Sequence, residues 1–246
     1  MLVSLSILAE ASDAGQRSHA VSELQALPAG ITLPVQMGRT LRAGRSKPGT
    51  VFMVTTTQRV PVTQDSYLNR GAKVRGEIVA SSAGDGTAAH PSVLTIRFTQ
   101  LSYRGQTVPL VTRAVAAANL MYVDDTFMPT MGVADRGNNS ASWTTRQVGG
   151  DVVARTGWVA DVVGSGLRTV GNADYYGVYS LPVKLSDGGV VPQAMGVFST
   201  TANGLYGYDT GARLESPDGL ITITNPEKRA VIRNGDNLLL EVMPAR

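Results

Sequence analysis

Residues 27–41 read LPAGITLPVQMGRTL, and this stretch decides the fold. Ile31, Leu33, Val35 and Met37 alternate with Thr32, Pro34 and Gln36, and a two-residue period sends the two sets to opposite faces of a strand. The expectation is a half-buried strand, apolar on one face and wet on the other. The same grammar returns further along. Leu94, Ile96 and Phe98 alternate with Thr95, Arg97 and Thr99, and Ile221 and Ile223 with Thr222 and Thr224.

Working outward, residues 27–116 read as a compact block of five or six strands. Turn residues punctuate it at Pro28-Ala29-Gly30, Lys47-Pro48-Gly49, Asn69-Arg70-Gly71, Ala83 to Pro91 and Arg104-Gly105. No helical pattern separates these strands, so an antiparallel barrel or sandwich is expected rather than βαβ units. Residues 101–111 form the pattern of a hairpin around Arg104-Gly105. Ala114 to Asn119 is too short for a stable helix alone and reads as the end of a strand. From Met121 to Ser142 neither period is visible, and a long excursion is expected. Residues 144–171 place Val152-Val153, Val159 and Val162-Val163 between glycines; a glycine inside a helix costs roughly 1 kcal/mol, so strands or loops are favoured there. Clear strands return from residue 173, and the apolar run at Leu238 to Val242 is expected inside the sheet. The predicted organisation is a lead of residues 1–26 and one all-β domain of residues 27–246. Within it, blocks 27–116 and 173–246 share a core, and 117–172 form a long, irregular, Gly-rich insertion.

Composition agrees with a turn-rich β protein: 246 residues include 27 glycines, and only 17% of them are charged. A chain of this length can bury a sizeable core as one domain. The net charge of +3 is too small to imply a nucleic-acid partner without a clustered patch. Arg39, Arg42, Arg45 and Lys47 do cluster, but among Gly and Pro, which reads as a solvated turn. The sequence has no cysteine, which excludes disulfides, thiol catalysis and Cys-based zinc sites. No apolar run approaches the roughly 20 residues of a membrane-spanning helix. Short strands and 6% aromatic residues argue against a membrane barrel with two aromatic girdles.

Leu2 to Ala9 is an apolar octet followed by Ala9-Glu10-Ala11, the small-residue pattern that ends secretory signals. No Lys or Arg precedes it, so residues 1–11 read as the tail of a truncated signal peptide, or else as a short helix or frayed lead. The signal reading implies a periplasmic, outer-envelope or secreted protein.

Chemistry-bearing residues are sparse. His19 and His90 are the two histidines, and no serine stands in a nucleophile-elbow motif to complete a triad with His90 and Asp85. Asp124, Asp125, Asp151, Asp161 and Asp174 could supply paired acids for glycoside hydrolysis or a calcium site, but their spacing fixes neither. Asn138-Asn139-Ser140 matches a glycosylation triplet and is given no role. Tyrosine is the stronger signal. Tyr175, Tyr176, Tyr179, Tyr206 and Tyr208 fall within 34 residues, and tyrosine offers large amphipathic contact area at low entropic cost. With Trp158, and with Trp143 on the other flank of the glycine-rich segment, these residues are the candidate partner-binding surface, against the plain alternative of sheet packing. No catalytic residue, metal or cofactor is expected.

Four segments carry a resemblance to a known family: LPAGITLPVQMGRTL, LNRGAKVRGEIV (68–79), LTIRFTQLSYRGQTVPL (94–110) and AVIRNGDNLLLEV (230–242). Together they resemble the β-barrel domain of the outer-membrane core component of type IV secretion and conjugation machines, and related bacterial envelope proteins of unassigned role. The matches cover roughly residues 27–115 and 220–243. No pair of amphipathic helices of the pore-lining kind is visible between them. The resemblance implies an envelope-located barrel that binds or scaffolds a macromolecular partner without enzymatic activity. An envelope protein or a surface glycan is the implied partner, nucleic acid is not, and homo-oligomers are compatible with it. The competing expectations are a carbohydrate-binding module built on the Tyr/Trp surface, and a hydrolase with a carboxylate-based site.

Overall fold

A computed structural model of the chain describes residues 19–20, 26–127, 142–156 and 159–244. Its first strands are β1 (His19–Ala20), β2 (Thr32–Met37), β3 (Leu41–Arg42), β4 (Val51–Thr56), β5 (Val60–Pro61), β6 (Ser66–Leu68), β7 (Lys73–Ser82), β8 (Ser92–Tyr103), β9 (Gln106–Pro109) and β10 (Thr112–Ala118). Helix α1 (Leu120–Phe127) follows. Then come β11 (Ser142–Arg146), β12 (Val152–Thr156), β13 (Ala160–Val163), β14 (Thr169–Asp174), β15 (Gly177–Lys184) and β16 (Val190–Ala194). The chain finishes with β17 (Gly204–Tyr206), β18 (Arg213–Glu215), β19 (Ile221–Asn225), β20 (Val231–Ile232) and β21 (Asn237–Val242).

The fold is all-β. The first sheet runs β17-β10-β21-β2-β4-β7-β8-β19-β18, with β9 added to β8. Neighbours are antiparallel except β10 and β17, which are parallel. Its two end strands approach within 8 Å between Cα atoms, yet no ladder joins them among the described residues, so of the barrel or sandwich expected from the sequence the closed barrel is not formed. β21 lies between β10 and β2, pairing Glu241 with both Arg113 and Thr32. That is the interior position expected for an apolar last strand. At the β8–β9 hairpin Tyr103 faces Gln106, and Arg104 and Gly105 take φ of 49° and 80°, the left-handed pair of a type I′ turn.

A second sheet, β11 to β16 in sequence order, is an antiparallel meander. The segment expected as an irregular insertion is therefore strand for much of its described length. Its strands are four to six residues long, too few periods for alternation to stand out in the sequence. Residues 128–141, including the Asn138 triplet, lie outside the described residues, as do Trp158 and, apart from β1, the lead of residues 1–25.

One sequence expectation is corrected by the packing of the two sheets. Thr32 and Pro34, placed on a wet face, are buried, and of that set only Gln36 is exposed. The second sheet covers them: Thr32 N donates to Gln193 Oε1 at 2.8 Å and Thr32 Oγ1 donates to the Ala194 carbonyl at 2.7 Å. A buried backbone N–H needs such a partner. Two hydrophobic clusters result, each drawing on both sheets. Leu185, Val191 and Ala194 join the core of the first sheet, while Ala116, Ala118 and Leu239 join Val153, Val162 and Phe198 in the second.

Helix α1 is the other departure, since no helical period was visible from residue 121. Two turns give little periodic signal, and the caps hold it instead. Asn119 Oδ1 accepts from Tyr122 N at 2.7 Å, and Leu120 N donates to Asp236 Oδ1 at 3.2 Å.

Candidate functional site

The tyrosine-rich hairpin meets the first sheet at one corner of the interface. Asp174 pairs with Gly177 to close the β14–β15 hairpin, leaving Tyr175 and Tyr176 as its two-residue tip. Asp174 Oδ1 accepts from Tyr176 N at 2.7 Å and from Gly177 N at 3.0 Å, so this carboxylate builds the turn itself. The two rings stand edge to face, 5.5 Å between centroids at 88°. Tyr175 is 74% exposed and Tyr176 48%.

Beneath the tip lies Arg59, in the link between β4 and β5. Its guanidinium carbon is 3.3 Å from the Tyr176 ring centre and 3.9 Å from that of Tyr67 on β6. A guanidinium between two aromatic faces gains about 0.5–1 kcal/mol per ring at an exposed position and about 2 when desolvated. Arg59 N also donates to the Tyr176 carbonyl at 3.2 Å. Backbone and side chain thus fix the same pair.

Gln58 anchors this corner from within. Its Oε1 accepts from Val178 N at 3.0 Å and Gly196 N at 2.9 Å, and its Nε2 donates to the Val178 carbonyl at 2.9 Å. The side chain acts as a short piece of strand inserted between β15 and the turn after β16. Gly177 makes room for it, because a Cβ there would lie 2.5 Å from Gln58 Cδ.

Two cavities flank Arg59. The larger, an open cleft of about 730 Å³, is bordered by Asn69, Arg70, Asp174, Tyr175 and Tyr176. The smaller, about 210 Å³, is bordered by Tyr67, Asn172, Asp174 and Tyr179. Arg59 Nε and Tyr179 Oη are buried without a hydrogen-bond partner among the described residues. Burial pushes the Tyr179 phenol well above its ordinary range, and the negative charge of Asp174 adds to the effect. The hydroxyl stays protonated at neutral pH and can donate. The corner therefore combines cationic and neutral donors with aromatic faces, which suits a partner rich in acceptors or anionic groups.

The sequence-predicted tyrosines do not form one surface. Tyr175, Tyr176 and Tyr179 gather here. Tyr206, on β17, packs against Tyr122 of α1 at 5.9 Å and accepts from Asn203 N at 3.1 Å. Tyr208 packs on the first core and donates to Asp236 Oδ2 at 3.0 Å. The acids are dispersed as well. Asp124 and Asp125 are exposed on α1 and Asp161 on β13. Asp151 is buried and accepts from both Thr200 N and Thr200 Oγ1 at 2.7 Å. His90 Nδ1 lies 3.1 Å from Asp85 in an exposed loop, where hydrogen bonds from the side chain and backbone of Thr87 hold the Asp85 carboxyl below its ordinary range. Among the described residues no group of three or more His, Asp or Glu could hold a metal ion, and no helix is long and apolar enough to cross a membrane, which says nothing of strands. Gln58, Arg59 and Tyr67 were not foreseen, since their roles depend on a hairpin more than 100 residues away.

No protein-family model, no curated protein and no solved structure matches the chain.

Proposed function

We propose that this chain is a non-enzymatic β domain of the bacterial envelope, or a secreted one, that binds a macromolecular partner through the tip of the β14–β15 hairpin. The observation that carries this reading is the Arg59 guanidinium stacked under the exposed Tyr176 at the edge of an open cleft. Aromatic and arginine side chains are the residues most often found carrying binding energy at interfaces. Here they are held by the Asp174 turn and Gln58, so little side-chain freedom is lost on binding. The envelope location follows from the apolar octet at residues 2–9 and from the resemblance in the strand segments.

The carbohydrate-binding alternative has less support, because Tyr175 and Tyr176 stand at 88° and offer no flat two-ring platform for a sugar face. The hydrolase alternative has less again. Asp151 is committed to Thr200 and Asp174 to its own turn.

The test is a pull-down from envelope extracts with the wild-type chain and with Tyr176→Ala and Arg59→Ala, each first shown to be folded at the temperature of the assay. A partner captured by the wild type and lost by both variants supports the reading. Equal capture by all three removes this corner as the binding surface.

A further inference from the structure

The sequence places Arg39, Arg42, Arg45 and Lys47 in one loop, and the fold brings a second cationic segment against it. β3 and β20 form a separate two-stranded ribbon in which Arg42 faces Val231 and Leu41 faces Ile232. Ala43 N donates to the Ala230 carbonyl at 3.0 Å and Asn234 N to Thr40 Oγ1 at 3.1 Å, extending the contact both ways. Leu41 and Ile232 are wholly buried. Opposed residues share a face and alternate residues point the same way, so Arg42 turns outward with Val231. Arg229 and Arg233, two places on either side of Val231, turn outward as well. Arg39, Arg45, Lys47 and Lys228 occupy the flanking turns, and all of these cationic residues are exposed.

This end of the molecule thus gathers seven of the 22 Lys and Arg in a chain whose net charge is only +3. Among the described residues one of the seven, Lys228, has an ion-pair partner, Asp209 at 2.9 Å. Glu227 is a nearby exposed acid. Asp236 is buried, its carboxylate accepts from Arg233 N, Leu120 N and Tyr208 Oη, and it attracts the Arg233 charge, which is therefore partly compensated. Asp85 is engaged by Thr87 and His90. The loop is held in place: Arg42 N donates to Ser46 Oγ at 2.9 Å, and Ser46 N donates back to the Arg42 carbonyl at 2.8 Å. The positive charge is therefore fixed and mostly uncompensated.

Apolar side chains border it. Gly49 N donates to the Ile78 carbonyl at 2.8 Å, seating the Lys47 turn beside Val79, and the loop then enters β4 at Val51. Val51 and Met53 are each 39% exposed and Val79 36%; Arg75 lies opposite Met53, and Glu77, opposite Val51, is neutralised by Arg97 at 3.1 Å. Residues 38–50 and 227–236 contain no Phe, Tyr or Trp, so the patch lacks the stacking faces used to hold single-stranded nucleic acid.

We propose that this end of the protein docks on an anionic phospholipid bilayer surface. The arginines and lysines face the lipid phosphates, and Val51, Met53 and Val79 enter the headgroup layer beside them. A basic cluster next to a small apolar patch is the combination that holds a peripheral protein at a charged membrane. The proposal is independent of the hairpin tip and stands or falls separately from it.

The experiment is co-sedimentation of the full chain with vesicles of equimolar phosphatidylglycerol and phosphatidylcholine, with pure phosphatidylcholine vesicles alongside and at low and high salt. The wild type is expected to pellet with the anionic vesicles alone and to be released by salt. Arg42→Gln/Arg229→Gln/Arg233→Gln is expected to weaken partition on the order of 100-fold, from about tenfold or less per removed charge. A second set, Arg39→Gln/Arg45→Gln/Lys47→Gln, alters only turn side chains and serves if the first fails to fold. A control triple on the second sheet, Arg146→Gln/Arg168→Gln/Lys184→Gln, is expected to bind as the wild type does. No partition of the wild type at low salt, equal binding to neutral vesicles, equal loss in the control, or binding to a DNA duplex in place of the vesicles would each overturn the proposal.

Discussion

Arg59 is bound twice to Tyr176, its guanidinium 3.3 Å from the ring centre and its amide donating to the Tyr176 carbonyl at 3.2 Å. The side-chain part of this link can be isolated. Arg59→Ala, Tyr176→Ala and the double variant, compared by urea denaturation, are expected to give a coupling energy of about 0.5–2 kcal/mol. Additive losses would show that the stack adds nothing beyond the backbone bond.

Gln58 is 5% exposed and satisfies three backbone groups of the second sheet. Gln58→Ala leaves those groups buried and unpaired, at a cost of at least about 2 kcal/mol. Gly177→Ala is expected to destabilise the wild type, because its new Cβ would meet the Gln58 amide. In the Gln58→Ala background the obstacle is gone, so the same substitution is expected to cost much less. Equal cost in both backgrounds would show that the Gln58 amide is not what requires the glycine.

Burial holds the Asp236 carboxyl above its ordinary value of 3.8, although hydrogen bonds from Arg233 N, Tyr208 Oη and Leu120 N oppose the shift. The folded protein therefore binds this proton more tightly than the unfolded chain. The resulting stability is present below pH 3.8 and is lost as pH rises through the folded value. Asp236→Asn removes that dependence. The stability difference between wild type and variant is expected to shrink across this window and then stay level, as read from denaturation at a series of pH values.

Arg104 adopts φ of 49° at the first central position of the type I′ turn, where Asn is favoured over other side chains. Arg104→Asn gives up a stacking contact of 5.3 Å with Tyr103 but relieves backbone strain. A net gain of roughly 0.5 kcal/mol is expected, visible as a higher melting temperature. A fall would show that the stack outweighs the strain.

The first sheet was legible because its strands are long enough for alternation to repeat, as at Leu94, Ile96 and Phe98. It was misread at Thr32 and Pro34, where a second layer arrives, and at Thr95, which is buried beside the Thr222 hydroxyl. The meander of residues 142–194 was harder, since strands such as Ala160–Val163 show one period at most. Part of the corner was visible as clustered tyrosines. The rest depends on long-range contacts that no local pattern encodes, since Gln58 reaches Val178 and Arg42 sits opposite Val231. The cationic loop is exposed, as its Gly and Pro implied, but the chain that pairs with it arrives about 190 residues later and left no local signal.

β21 occupies the gap between β2 and β10, with Thr32 and Arg113 both awaiting Glu241. Until Val242 has left the ribosome, both strands expose an unpaired edge toward the place β21 will fill, and β10 and β17 are separated from the rest of the first sheet. Pairings this distant in sequence form slowly, and open edges recruit other chains. During synthesis the protein thus passes through an aggregation-prone interval that ends when this strand inserts.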